Sequence, residues 1–496
     1  MKSRTLMYVT AMTLFAALAT PLQLAAQRTR YKVIDTGTLG GPFASLGFEG
    51  ERDMNNGGTL VSLVDLSAVS APPFCFSAGP FPPDCHVGHT AKWKSGVLTD
   101  LGALGLGGSG PIWISDSGLI SGLSQNGVLD PLTGSPEFKA VLWEKGRIID
   151  LGTLGGNESA SGGVNDRGQV VGCATNAMPD SFGFCFGVPQ QSRAFLWEND
   201  VMQDLGTLGG PDAFATVVNK RGQVAGWSLT DSVVNPTTEI PTQHPFLWEN
   251  RMMRDLGTIG GTFVFSVNGI NNRGEIIGAM TTTGDQAVHP FLWDGRSLKD
   301  LGTFGGGFGA AIAINELSEV VGTASNQNNQ NFAFLWKRGV LTDLGGVEGD
   351  TCSGALAINS KEQIVGGLDD CTGNNARASL WERGSVIDLN SFVPSSSDVQ
   401  LTVAVSINER GEIAAQGVLP NGDTHAFVLI PFGEGTEGCK DATENIIATT
   451  RNRAASSFDS PTMSAQSRLT LNGVMSAWRA RLARRYNIPG FGAQKK

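Results

Sequence analysis

One phrase recurs through this chain, and its period limits what the chain can fold into. The cleanest copy runs Ala194-Phe195-Leu196-Trp197-Glu198, then Asp204-Leu205-Gly206-Thr207-Leu208-Gly209-Gly210, then Val218-Asn219-Lys220-Arg221-Gly222-Gln223-Val224. The aspartate of the middle phrase stands at Asp35, Asp100, Asp150, Asp204, Asp255, Asp300, Asp343 and Asp388, in steps of 65, 50, 54, 51, 45, 43 and 45 residues. The minimal step is the length of one four-stranded propeller blade, a unit that cannot bury its faces alone and must stack on its neighbours.

Each copy reads as four short strands, a to d. Strand a is small and apolar, as in Ala311-Ile312-Ala313-Ile314-Asn315, and ends on an asparagine at 165, 219, 271, 315, 359 and 408. Asn-x-Arg/Lys-Gly follows in the cleaner copies. Asparagine closes such a hairpin turn through its own side chain, and glycine accepts the left-handed conformation. Strand b is Gln169-Val170-Val171-Gly172 and its copies, strand c is Ala-Phe-Leu-Trp, and strand d leads into Asp-Leu-Gly. Apolar and β-branched residues alternating over four to seven positions fit strands, not helices. Seven tryptophans share one strand-c position (Trp93, Trp143, Trp197, Trp248, Trp293, Trp336, Trp381), with Leu429 in the last copy. They read as packing between sheets rather than as a cofactor box. The last copy lacks a strand d, and Tyr31-Lys32-Val33-Ile34-Asp35 supplies one, which would remove both edges of a ring. The expectation is an all-β, closed β-propeller of eight four-stranded blades. Seven blades or an open solenoid are the alternatives.

These phrases resemble the bacterial extracellular repeat family named after the tripeptide His-Ala-Phe (HAF repeats). The tripeptide is literal at His425-Ala426-Phe427 and degenerate at Arg193-Ala194-Phe195, His244-Pro245-Phe246, His289-Pro290-Phe291 and Phe332-Ala333-Phe334. The resemblance covers residues 30 to 432. It implies a bacterial exported protein with a β-propeller-like fold, and it carries over no catalytic residue, ligand or cofactor.

The chain divides into three parts. Residues 1–27 read as a cleaved signal peptide, with Lys2 and Arg4 before an apolar run from Leu6 to Leu18 and small residues after it. No later segment approaches the roughly 18 apolar residues that span a bilayer. Residues 28–432 are the repeats. Residues 433–496 read as a flexible linker and a short basic helix, with Val474, Trp478 and Leu482 at i, i+4, i+8 among Arg479, Arg481, Arg484 and Arg485. That helix could dock on the acidic body, a partner or a membrane surface; its own body is preferred. Net charge is −10; the signal holds +2 and the tail +5, leaving −17 on the repeats. An acidic body argues against nucleic acid as a partner.

The location is expected to be secreted, periplasmic or extracellular, so the paired cysteines read as disulfides: Cys75–Cys85, Cys173–Cys185 and Cys352–Cys371, with Cys439 odd. No catalytic residue, metal site or cofactor is expected. The formal dinucleotide pattern Gly105-Leu106-Gly107-Gly108-Ser109-Gly110 opens no helix and reads as a turn. His86 and His89 beside Cys85 form half a metal site at most, and His244, His289 and His425 recur at the head of strand c as structural residues. Asp350, Asp369 and Asp370 could bind calcium, but a solvated loop is the preferred reading.

The first four copies are longer, with their extra residues between strands b and c: 62–89, 124–138, 173–192 and 228–243. In an up-and-down blade the b–c and d–a loops share one face of the ring, so these insertions build one raised rim. Phe74, Phe76, Phe81, Phe182, Phe184 and Phe186, with Trp227 at the base, make it aromatic, either as a binding surface or as loops packed on themselves. The functional expectation is a non-enzymatic binding or scaffold protein holding a glycan, an envelope component or a protein on that rim. The alternative is a secreted polysaccharide hydrolase or lyase using the same face.

Overall fold

The computed structural model describes residues 29–47, 51–69, 86–185, 188–347, 349–371 and 375–432. The signal segment, Phe74, Phe76, Phe81, Phe186, Cys75, Cys85, Cys439 and the C-terminal helix lie outside these residues. The regular structure within them is all β apart from one short 3-10 turn, Leu389–Phe392. Four sheets have four strands and two have eight. Each eight-stranded sheet consists of two antiparallel meanders touching through one parallel pair, Phe43 with Thr424 in one and Val288 with Phe308 in the other. The repeating unit is therefore the a–b–c–d meander, for example Gly155–Val164, Val170–Pro179, Gln190–Glu198 and Val201–Asp204. In chain order the units span 40–100, 109–150, 155–204, 213–255, 260–300, 305–343, 352–388 and 400–432. Arg30–Asp35 is the fourth strand of the last unit, antiparallel to Thr424–Phe432 from Arg30↔Phe432 to Asp35↔Phe427.

The Ala-Phe-Leu-Trp phrase works through its period of two. Phe195 and Trp197 face back onto Ala140 and Leu142 of the second unit, whereas Ala194 and Leu196 receive Phe246 and Trp248 of the fourth. A large face thus seats on a smaller one at each junction, and Phe195, Phe246, Phe291 and Phe334 are wholly buried. The same packing joins the last unit to the first, where Trp93 and Leu60 lie against Ala426 and Val428. The glycine of strand b is a steric requirement: a Cβ on Gly172 would lie 2.0 Å from the Ala160 carbonyl oxygen and one on Gly226 would lie 1.9 Å from that of Phe214. Strand a bulges at this crossing, and only glycine admits it.

Candidate functional site

The a–b turns are linked from unit to unit. Asn219 Oδ1 accepts the Arg221 and Gln223 amides, closing its own turn, while its Nδ2 donates to the Asn271 carbonyl of the next unit at 2.9 Å. Equivalent bonds run Asn165 to Asn219, Asn271 to Asn315, Asn315 to Asn359, Asn359 to Asn408, Asn408 to Asn55 and Asn55 to Ser115. Ser115 is too short to continue, and the Ser117 amide donates to Asp166 instead at 2.8 Å. Asp116 beside it gathers Arg52, Lys220 and the Asn56 amide. Burial pushes its carboxyl up, but these partners outweigh burial and hold it well below the usual carboxylate range.

The opposite face carries a second repeated device. The aspartate of Asp-Leu-Gly accepts the amide two residues on, as Asp204 does from Gly206 and Asp300 from Gly302. The head of strand c clips that aspartate: His244 to Asp255, His289 to Asp300 and His425 to Asp35, with Arg193 to Asp204 in the third unit. His89 clips Asp100 in the same way at 3.0 Å. It is therefore a member of the repeat. The signal was in the sequence, because His89 precedes Trp93 by four residues as His244 precedes Trp248. Burial raises the Asp100 carboxyl, and the hydrogen bond and charge of His89 more than reverse it; Asp300 beside His289 behaves likewise.

The long b strands of the first four units, ten or eleven residues against six or seven in the rest, rise above this face. All four break register near the tip, at Asp65/Val69, Gln125/Leu129, Thr175/Pro179 and Leu229/Val234. In three of them the break has one local cause. Asn126, Asn176 and Asp231 each accept the amide two residues on, from Val128, Met178 and Val233. Each such turn throws its apolar side chain outward, and Val128, Met178 and Val233 are 52%, 58% and 73% exposed. Two residues further on, Asp130, Asp180 and Asn235 cap the loop tips through side-chain oxygens. Asp130 is also tied to Asn157, and Asn235 to Thr262, each in the following unit. The exposed apolar residues thus sit on braced hairpins. The pattern is Asn/Asp-x-Val/Met-x-Asp/Asn at 126–130, 176–180 and 231–235, three copies at one spacing that the reading of the insertions as loops passed over.

The aromatic residues behave differently. Phe182 stacks on Phe184 with centroids 5.7 Å apart, and Phe184 meets Trp227 edge-on at 5.2 Å. Both phenylalanines also pack against a cluster holding Phe263, Phe308 and Ile312, on strands a of the fifth and sixth units. The third unit's loop therefore turns inward, because the Cys173–Cys185 disulfide ties it back and apolar strand-a surface is within its reach. Cys352–Cys371 forms as well. Asp369 lies close to its sulfurs, which being bonded to each other are not thiolate ligands. Asp350 is engaged by Arg377 and the Val347 amide, beside a polar hollow of about 300 Å³ that Asp370, Asn375 and Gln400 also line.

No protein-family model and no curated protein matches this chain. Among solved structures, TolB from Acinetobacter baumannii is 8% identical with a TM-score of 0.31 over 63% of each chain. A puromycin-hydrolyzing peptidase of Mycobacterium tuberculosis is 13% identical with a TM-score of 0.41, covering 80% of this chain and 61% of its own. Dipeptidyl peptidase 4 of Porphyromonas gingivalis is 9% identical with a TM-score of 0.38, covering 76% and 51%. This chain thus spans less than two thirds of each of these relatives, and the architecture rests on its own strand pairing.

Proposed function

We propose that this chain is an exported, non-enzymatic binding protein of the HAF-repeat type, a closed ring of eight four-stranded blades holding a protein partner on the b–c rim of blades one to four. Closure is supported by three independent contacts between the chain's ends: the Arg30–Asp35 strand on Thr424–Phe432, the core joining the eighth unit to the first, and the asparagine series returning through Asn408 to Asn55. Two disulfides suit an oxidising compartment.

The observation that carries the reading is the outward projection of Val128, Met178 and Val233 from braced tips. Apolar side chains held rigid in water cost little further ordering when a partner covers them. Aliphatic tips suit a protein surface better than a sugar, which wants a free aromatic face; Phe182, Phe184 and Trp227 are engaged with one another.

The test immobilises the mature chain and a Val128→Ser/Met178→Ser/Val233→Ser variant and offers both envelope proteins and a polysaccharide panel. Retention is measured together with release of reducing ends or unsaturated products. Retention of a protein by the wild type, at least tenfold weaker on the variant, supports the rim. Sugar products released by the wild type would overturn the non-enzymatic reading in favour of a hydrolase or lyase.

A further inference from the structure

We infer that the rim has an occupant in cis: the chain's own C-terminal segment, residues 468–487, lies across the tips of blades two to four and competes with the external partner. This rests on the rim being a docking surface, and it adds regulation of that surface.

Charge and polarity match on the two sides. Across the b–c connections of the second to fourth units the charged residues are Asp130, Glu137, Asp180, Asp231 and Glu239 against Lys139 and Arg193. Both cations are already spent, Lys139 on Glu137 at 3.1 Å and Arg193 on Asp204 at 3.0 Å. Asp130 and Glu137 are buried, so the acids that face solvent beside the apolar row are Asp180, Asp231 and Glu239, with no uncommitted cation among them. The complement of this rim is a cationic segment with an apolar stripe. Residues 468–487 are that in sequence: Leu471, Val474, Trp478 and Leu482 at helical spacing, with Arg468, Arg479, Arg481, Arg484 and Arg485 and no acid.

Reach is sufficient. Strand c runs from the rim at Thr424 to the far face at Phe432, so the chain leaves on the side away from the tips. Nine strand residues are about 30 Å deep. Thirty-five residues, the length of 433–467, would as a random coil have a root-mean-square span of about 30–35 Å and a far longer contour, enough to round the edge. Tethering at that span gives an effective concentration of about 1 mM. A segment whose free Kd is as weak as about 0.1 mM would then occupy the rim about ten to one, and removing its stripe would tighten external binding about tenfold.

The experiment uses the full mature chain with a photo-crosslinking residue at Met178. Cross-links within one chain to residues 471–482, lost in 0.5 M salt and in a Val128→Asp/Val233→Asp background, are the expected result. Cross-links to no part of the tail, or between two chains only, overturn the inference. A second protein, Leu471→Asp/Trp478→Asp/Leu482→Asp, leaves the repeats untouched and should retain the external partner about tenfold more tightly. If the cross-links form but neither protein retains any partner, the tail docks and the binding function is wrong. If both proteins retain the partner equally and no cross-link forms, the binding function stands and the tail inference falls.

Discussion

Replacing Asn219 by alanine tests the asparagine series most directly. The side chain makes four hydrogen bonds: from the Arg221 and Gln223 amides at 3.0 Å each, to Gln223 Oε1 at 2.8 Å and to the Asn271 carbonyl at 2.9 Å. Alanine strands a buried amide at Gln223 and removes the link to the next unit. An unsatisfied buried group costs about 1–3 kcal/mol, and water reaches the half-exposed Arg221 side of the turn, so the net loss should be about 2–4 kcal/mol. Serine is the internal control, because the protein itself uses Ser115 at this position. There the hydroxyl accepts the Leu119 amide at 3.1 Å, and the unit-to-unit bond is absent. Asn219→Ser should therefore cost about 1–2 kcal/mol. Urea midpoints with the disulfides intact, followed by tryptophan fluorescence, would rank wild type above serine above alanine. An alanine variant within about 0.5 kcal/mol of wild type would refute the structural role, that being the scatter of ordinary surface changes. A serine variant as damaged as alanine would refute the division between turn closure and linkage between units.

Other expectations follow from the same contacts. Burial raises the Glu158 carboxyl to about 8, the Phe138 amide and Lys139 oppose this, and Asp130 and Glu137 add to it. A folded-state value above the unfolded one means stability falls as pH rises from about 4.5 through about 8, by a few kcal/mol. Glu158→Gln should flatten that slope in pH-dependent melts, and an unchanged slope would clear Glu158. Cys173→Ser/Cys185→Ser opens a loop with a sequence separation of 12, worth about 3 kcal/mol by loop-closure entropy. It should also free Phe182 and Phe184, read as faster hydrogen exchange across 180–185; unchanged exchange there would show that the phenylalanines hold the loop unaided. His289→Ala removes one exposed clip on Asp300 and should cost no more than about 1 kcal/mol. A larger loss by urea melt would mean that the clips act together.

Short-range pattern made much of this architecture legible. Period-two alternation marked the strands, Asn-x-x-Gly and Asp-x-Gly marked the turns at the two faces, and Trp197 with its copies marked the packed side of strand c. These residues act within one unit or across one junction, so the chain states them locally. Membership of His89 in the histidine–aspartate clips was equally local, since it stands four residues before Trp93 as the other clip histidines stand before their own strand-c residue. The tertiary structure decided the rest. Val128 and Met178 look like core residues until the asparagine two places earlier bends the strand and turns them out. Phe182 and Phe184 could serve either as a binding surface or as packing until a tied loop finds apolar strand-a surface belonging to units more than 75 residues away in sequence. The partners of the asparagine amides are carbonyls 44 to 353 residues distant. A side chain's direction depends on bulges and on what stacks beside it, and those are set only when the units meet.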